Sequence, residues 1–371
     1  PMVPGTLEPL AGEAEAREAA RRIGFPVMLK AAMGGGGKGM RLVRAPGELA
    51  GALRGARSEA GAAFGDAAVY IEGYVEEPRH VEIQVLADAH GGVVYLGERE
   101  CSIQRRHQKL VEESPSPFVP PEMRRLMGEA ACRVAAAVGY VNAGTVEFLV
   151  DRDRRFYFLE MNTRLQVEHP VTELVTGRDL VRDQLRIAAG EKLGFGQDDV
   201  ALDGWAIECR VNAEDPFASF MPSPGKVSGL RVPSGPGVRD DTGIYAGCTI
   251  PRFYDTLIAK LIVWGPDREA AIARMTRALG EYEVVGVQTT IPILQRVIAH
   301  PDFIAGRLST GFMERLLAVD RPEAAGRHRT IALIAAALTA YERAGHQAPP
   351  ATPPAAPSAW RQALRPHWRS R

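Results

Sequence analysis

Five clusters of residues in this sequence have types and spacings suited to chemistry on anions. The first is KAAMGGGGKGMR, residues 30–41. Consecutive glycines let backbone N–H groups approach a polyphosphate without Cβ interference. The stretch joins two strands, so it lacks the strand-to-helix setting of a P-loop. A glycine run alone is equally a flexible hairpin tip. Lys30 and Lys38 flank it in a chain with 6 lysines and 39 arginines, which favours phosphate contact.

The second cluster is GTVEFLVDRDRRFYFLEMN, residues 144–162. A hairpin centred between Asp153 and Arg154 places Glu147 directly opposite Glu160, with Cβ atoms about 5 Å apart. Like charges in that position repel. A divalent cation turns the repulsion into a ligand set, and Asn162 lies on the same face two residues on. Both glutamates stand among apolar neighbours, which argues against two merely solvated side chains. The third cluster follows at once. Arg164 offers a planar donor fork for a carbonate or carboxylate, Gln166 and the Val167 backbone add donors, and Glu168 is a candidate general base. The fourth is ECSIQRRHQK, residues 100–109, with Gln104, His107 and Lys109. A basic run is usually a solvated face, but this one follows a strand and precedes the acidic, proline-rich VEESPSP. The fifth is Arg210, alternating with apolar residues in WAIECRVNAEDP. An inward arginine needs an anion, and a structural salt bridge is the plainer reading.

These residues must be positioned by an α+β chain. Helices are expected over 12–23, 121–138, 267–280 and 290–300, with a further Ala- and Arg-rich helix ending near Phe64. Strands are expected over 25–31, 40–43, 67–75 and 80–87, and again through VVYLGERE after the turn Asp88–Gly92. Residues 204–261 read as strand-rich. Residues 327–344 read as an Ala-rich helix and 345–358 as a low-complexity Pro/Ala linker. No internal repeat is visible.

The 371 residues are 46% hydrophobic and 24% charged with zero formal net charge, enough for more than one core and without the overall basic balance of a nucleic-acid binder. Cys101, Cys132, Cys209 and Cys248 form no CxxC pair, as in a reducing, cytoplasmic setting. No apolar run reaches membrane-spanning length and no signal peptide is visible. The chain begins at Pro1 and reads as a fragment.

The stretches KAAMGGGGKGMR, EGYVEEPRHVEIQVLAD, ERECSIQRRHQKLVEESPSP, AGTVEFLV, FLEMNTRLQVEHPVTE, ECRVNAEDP, PSPGKV and YDTLIAKL resemble the biotin carboxylase family, in unbroken order over residues 1 to about 315. The resemblance implies an ATP-grasp fold over residues 1–200, with a lid at about 27–87. A small biotin carboxylase C-terminal domain then spans 201–315. An Ala/Pro-rich linker, 316–371, leads towards a carboxyltransferase-docking region. By that likeness Lys30, Gly36, Gly37, Glu72, Gly73, Tyr74, Val75, His80, Gln104, His107 and Lys109 serve ATP. Glu147, Glu160 and Asn162 hold magnesium or manganese. Lys109, Arg164, Gln166 and Val167 hold bicarbonate, Glu168 deprotonates it, and Arg210 stabilises a biotin enolate. The implied partners are a second copy of the chain, a biotin carboxyl carrier domain and a carboxyltransferase subunit.

The sequence departs from that pattern in lacking an initial domain of about 110 residues and the biotinylated carrier module, and in having Gly73 where lysine is common. The strands at Val27 and Trp205 are therefore expected to present apolar surface. Two other readings exist: a carbamoyl phosphate synthetase, against which Arg210 within ECRVNAEDP argues, and a non-catalytic assembly fragment, against which the intact acids and base argue. The C-terminal tail resembles that of propionyl- or methylcrotonyl-type acyl-CoA carboxylase α subunits, which implies the first half-reaction of such an enzyme.

Overall fold

The computed structural model describes residues 1–33, 39–319 and 333–341. Gly36 and Gly37, half of the 327–344 helix and the whole Pro/Ala linker lie outside the described residues. Residues 1–316 form one compact unit, and the chain from Leu317 onward belongs to another, in which 333–341 is helical.

Near the N-terminus, helix α1 (Glu13–Ile23) precedes strands β1 (Val27–Ala31) and β2 (Met40–Val43), helix α2 (Leu49–Phe64) and strand β3 (Val69–Gly73). The strands form an antiparallel sheet in the order β2-β1-β3. Its alternate residues Val27, Leu29, Val69 and Ile71 pack on Ala16, Ala19 and Ala20 of α1 and on Leu49, Leu53 and Ala56 of α2. Val27 is therefore fully buried, contrary to the expectation of exposed apolar surface there; the two helices already cover that face.

The second sheet has eight strands, all antiparallel. After β4 (Arg79–Ala87), β5 (Val93–Arg105) and β6 (Gln108–Ser114) comes α3 (Pro121–Ala137), then β7 (Asn142–Val150) and β8 (Phe156–Asn162). Helices α4 (His169–Thr176) and α5 (Leu180–Ala188) lead to β9 (Trp205–Asn212). With the strands Val238–Thr242 and Leu257–Gly265 at one end, the order runs through β9-β6-β5-β4-β7-β8. Helices α6 (Arg268–Glu281) and α7 (Ile291–Ala299) follow.

Every residue of β4 is buried, because both faces of the sheet are covered. Val81, Ile83 and Val85 meet Met123, Met127, Ala130 and Ala131 of α3, whose Pro121 suits a first helical turn. The opposite face carries His80, Glu82 and Gln84 and lies beneath α4, which packs on β5, β6 and β9. Helix α4 is closed by Gly177, whose φ of 67° is costly for a residue with a Cβ. The polar face of an internal strand is thus buried, and it is where the chemistry-bearing residues collect. Trp205 is half-buried and donates to Glu113 Oε2 at 2.7 Å, so it is not the free apolar surface expected of it. All four cysteines are free thiols. Among the described residues no helix is long and apolar enough to cross a membrane.

Candidate active site

The sheet writes the site in rows. Cross-strand register aligns Arg99, Glu82, Glu147 and Glu160 across β5, β4, β7 and β8, and Gln84, Thr145 and Asn162 in the next row. The Glu147–Glu160 pairing predicted from the sequence is present, though by a different route. Near the turn the register is set for Phe148 opposite Phe158. A β-bulge between Glu147 and Phe148 leaves one extra residue on β8 and restores the expected pairing.

Lys109 is the hub. Its ammonium lies 2.5 Å from Glu82, 3.1 Å from Glu147 and 2.6 Å from Glu168. Burial works against its charge, but Glu82 and the other carboxylates outweigh that and hold its pKa above the ordinary lysine range. Glu168 precedes α4 and is 2% exposed. One of its oxygens accepts from Lys109 and the other, at 2.9 Å, from Arg210. Arg210 also donates through Nε to Glu112 at 2.6 Å, so the salt-bridge reading of this arginine holds as well. Gln166 donates to Glu147 at 2.8 Å, and Asn162 does so at 3.0 Å. His80 Nε2 lies 3.1 Å from the same carboxylate. Burial raises the Glu147 carboxyl, yet His80, Lys109 and Gln166 together drive it below the usual range.

Lys109, Glu147, Asn162, Gln166, Glu168, Arg210 and His80 therefore form one connected cluster. Val167 joins it through its carbonyl, which accepts from Lys260 at 2.9 Å. Arg164 stands at the rim, exposed, with long contacts to Leu165 O and Asn162 Oδ1. Glu160 is exposed rather than buried among its apolar neighbours, since β8 is the edge strand. Gln104 is buried and donates to Cys101 O at 2.8 Å. His107 sits exposed in the tight turn between β5 and β6 with a φ of 66°.

The remaining predicted residues belong to the three-stranded sheet. Lys30 on β1 pairs with Glu72 on β3 at 2.5 Å. Tyr74 N donates to Pro26 O at 3.0 Å, and Gly73, Tyr74 and Val75 are half-exposed. A Cβ on Gly73 would lie 3.3 Å from the Ile23 side chain, so local packing accounts for glycine where lysine was expected.

Four participants escape the sequence reading: Arg99, Glu82, Glu112 and Lys260. Arg99 is fully buried, and each of its donor positions is committed: Nε to Glu82, Nη1 to Gln84 and Thr172, Nη2 to Thr145 and Gln166. Burial raises the Glu82 carboxyl, but Lys109 and Arg99 outweigh it and hold the pKa at about 2. Nothing in local spacing marks any of the four.

Two family models match the chain. One describes the carbamoyl-phosphate synthase L chain, ATP binding domain, and covers residues 1–195; the other, the biotin carboxylase C-terminal domain, covers residues 208–315. Fold and site thus define an ATP-grasp protein with a biotin carboxylase C-terminal domain. A biotin carboxylase of Nostoc sp. is 56% identical over 316 residues, 85% of this chain and 71% of that one. A pyruvate carboxylase subunit of Methanothermobacter thermautotrophicus is 55% identical, over 85% of this chain and 64% of that one. The propionyl-CoA carboxylase alpha chain of Ruegeria pomeroyi is 51% identical, over 84% of this chain and 49% of that one. The biotin carboxylase domain dimer of Hydrogenobacter thermophilus 2-oxoglutarate carboxylase, solved with MgADP and bicarbonate, superposes with a TM-score of 0.81 at 48% identity, covering 87% of this chain and 72% of its own. This chain belongs to the biotin carboxylase family.

Proposed function

We propose that this chain carboxylates biotin borne on a carrier domain, using ATP and bicarbonate, as the first half-reaction of an acyl-CoA carboxylase. The observation that carries the reading is the unbroken line Lys109–Glu168–Arg210, at 2.6 and 2.9 Å. It joins a phosphate- and bicarbonate-side cation, a carboxylate base and a biotin-side cation.

Glu147, Glu160 and the Asn162 amide oxygen are hard oxygen donors suited to magnesium. Glu147 and Glu160 are register partners, and Glu160 is open to solvent at the edge strand, so the donor set fits. The metal would neutralise charge on the triphosphate. Lys30 and the Glu72–Val75 stretch would hold the nucleotide, and Arg164, Gln166 and the Val167 backbone the bicarbonate. Each carboxylate oxygen of Glu168 keeps a second lone pair beyond its ion pair, and one of these takes the bicarbonate proton. The freed oxygen attacks the γ-phosphorus, releasing ADP and forming carboxyphosphate. That intermediate splits to CO2 and phosphate, the phosphate takes the N1′ proton of biotin, Arg210 stabilises the resulting enolate, and its N1′ bonds to the CO2 carbon to give carboxybiotin.

The relatives belong to larger carboxylases, which supports a second copy of this chain, a carrier domain and a carboxyltransferase subunit as partners. The test is bicarbonate-dependent ATP cleavage with free biotin or ammonia added. Stimulation by biotin and not by ammonia is expected. Stimulation by ammonia alone would assign the chain to carbamoyl phosphate chemistry.

A further inference from the structure

Beneath α4 lies a buried carboxyl that the proposed reaction does not use. Glu208 on β9 is fully buried, and neither of its oxygens has a hydrogen-bond partner. Its register partner on β6 is Glu112, also fully buried. Glu112 Oε1 accepts from Arg210 Nε, whereas its Oε2 has no partner. On the other side of Glu208 stands Ile262, which offers no donor.

The cations around this pair leave no donor for Glu208. Arg210 is bound to Glu112 and Glu168. Lys260 holds Asp241 at 3.3 Å and the Val167 carbonyl. Lys109 holds Glu82, Glu147 and Glu168. From α4 the titratable groups are His169, whose ring nitrogen is engaged with Gln166 O, and Glu173, which is held by Arg239 at 2.6 Å. Two carboxylates facing each other across a ladder without a donor between them cannot both be ionised at modest cost.

We propose that Glu112 and Glu208 form one acid pair, in which Glu208 keeps its proton and Glu112 its charge, and that this pair is the positioning element for Arg210. A protonated Glu208 supplies the donor that the free Glu112 oxygen lacks. It also leaves Glu112 and Glu168 as the only anions competing for the guanidinium. An ionised Glu208, two residues from Arg210 on the same strand face, would draw the guanidinium away from Glu168. In support, burial pushes Glu112 up to about 7 despite Arg210, and burial together with the Glu112 charge pushes Glu208 well above the carboxylate range.

The assignment of Arg210 to the biotin side rests on the proposed function; the protonation of the pair does not. The test therefore has two arms. Infrared spectra at about pH 8, above the usual carboxylate range, are expected to show the carbonyl stretch of a protonated carboxylic acid, lost in Glu208→Gln. Asp240, among the described residues the other carboxyl with both oxygens buried and unbonded, is pushed only to about 6 and is ionised there. Absence of the band in the unsubstituted protein, or its persistence in a folded Glu208→Gln protein, overturns the pair. In the kinetic arm, biotin carboxylation is expected to fall with rising alkalinity while bicarbonate-dependent ATP cleavage persists. Glu208→Gln should remove that fall. Glu112→Gln should lower kcat for biotin at least about tenfold with KM for ATP unchanged. An alkaline fall unaltered in Glu208→Gln overturns the positioning role. A band that behaves as expected in a chain that never carboxylates biotin upholds the pair and refutes the functional reading instead.

Discussion

At the scale of single residues, the site is a set of shared ions. Glu168 gives one oxygen to Lys109 and the other to Arg210, so the proposed base and the proposed oxyanion donor are mechanically joined yet chemically separable. Glu168→Ala is expected to lose both biotin carboxylation and bicarbonate-dependent ATP cleavage, each by about 10²–10⁴-fold. Arg210→Ala should lose carboxylation by a similar factor while retaining part of the ATP cleavage, as steady-state assays of phosphate and carboxybiotin would show. Equal loss of both activities in the two variants contradicts the division of labour. Lys109, Glu168 and Arg210 were legible because each stands inside a long motif. Glu82 and Arg99 were not, since a glutamate between valine and isoleucine, or an arginine between two glutamates, reads as the solvated side of a strand. Only the second covered face of the sheet reveals otherwise.

At the scale of elements, the β7–β8 hairpin distinguishes two acids that the sequence treats alike. Glu147 lies on an internal strand, 5% exposed, and takes Lys109, Asn162 and Gln166. Glu160 lies on the edge strand facing solvent. Glu147→Gln should therefore cost about 1–3 kcal/mol, since a neutral amide replaces the carboxylate that accepts from Asn162 and Gln166, while Lys109 keeps Glu82 and Glu168. Glu160→Gln should change stability by no more than about 0.5 kcal/mol and yet abolish magnesium-dependent ATP turnover. Urea denaturation of both variants beside ATPase assays makes the comparison. An active Glu160→Gln protein would remove that residue from the metal set. Counting residues across the turn found the pairing but not the bulge that produces it, because bulges leave no composition signal in so short a strand.

At the scale of the whole molecule, the eight-stranded sheet brings together segments remote in sequence. Glu112 faces Glu208 across the ladder, and Lys260 faces Arg210. No local periodicity carries such long-range neighbours, so the motifs were readable while their arrangement was not. The shared charges also set how the folded chain answers pH. Glu82 falls from 4.5 to about 2 on folding, and Glu147 falls too. A depressed carboxyl contributes stability above its unfolded value and loses it as pH drops through the folded one. In metal-free buffer, stability should therefore decline between pH 4.5 and about 2, with Glu82 alone accounting for about 3 kcal/mol. Glu112, raised to about 7, acts in the opposite sense: its contribution is present below 4.5 and lost as pH rises through 7. Denaturation midpoints measured across this range, with Glu82→Gln for comparison, check both limbs. An acid limb unchanged in that variant would contradict the assignment.

Arg99 has one further implication. Its guanidinium is enclosed by Glu82, Gln84, Thr145, Gln166 and Thr172, drawn from β4, β7, the loop before α4 and α4 itself. It behaves as a resident cation with a complete coordination sphere, supplied by the polypeptide and never exchanged with solvent. A bound metal can leave with product or chelator, and its site then relaxes. This one cannot leave, so it ties β4, β7, the loop before α4 and α4 to one another whether or not the site beside it is filled.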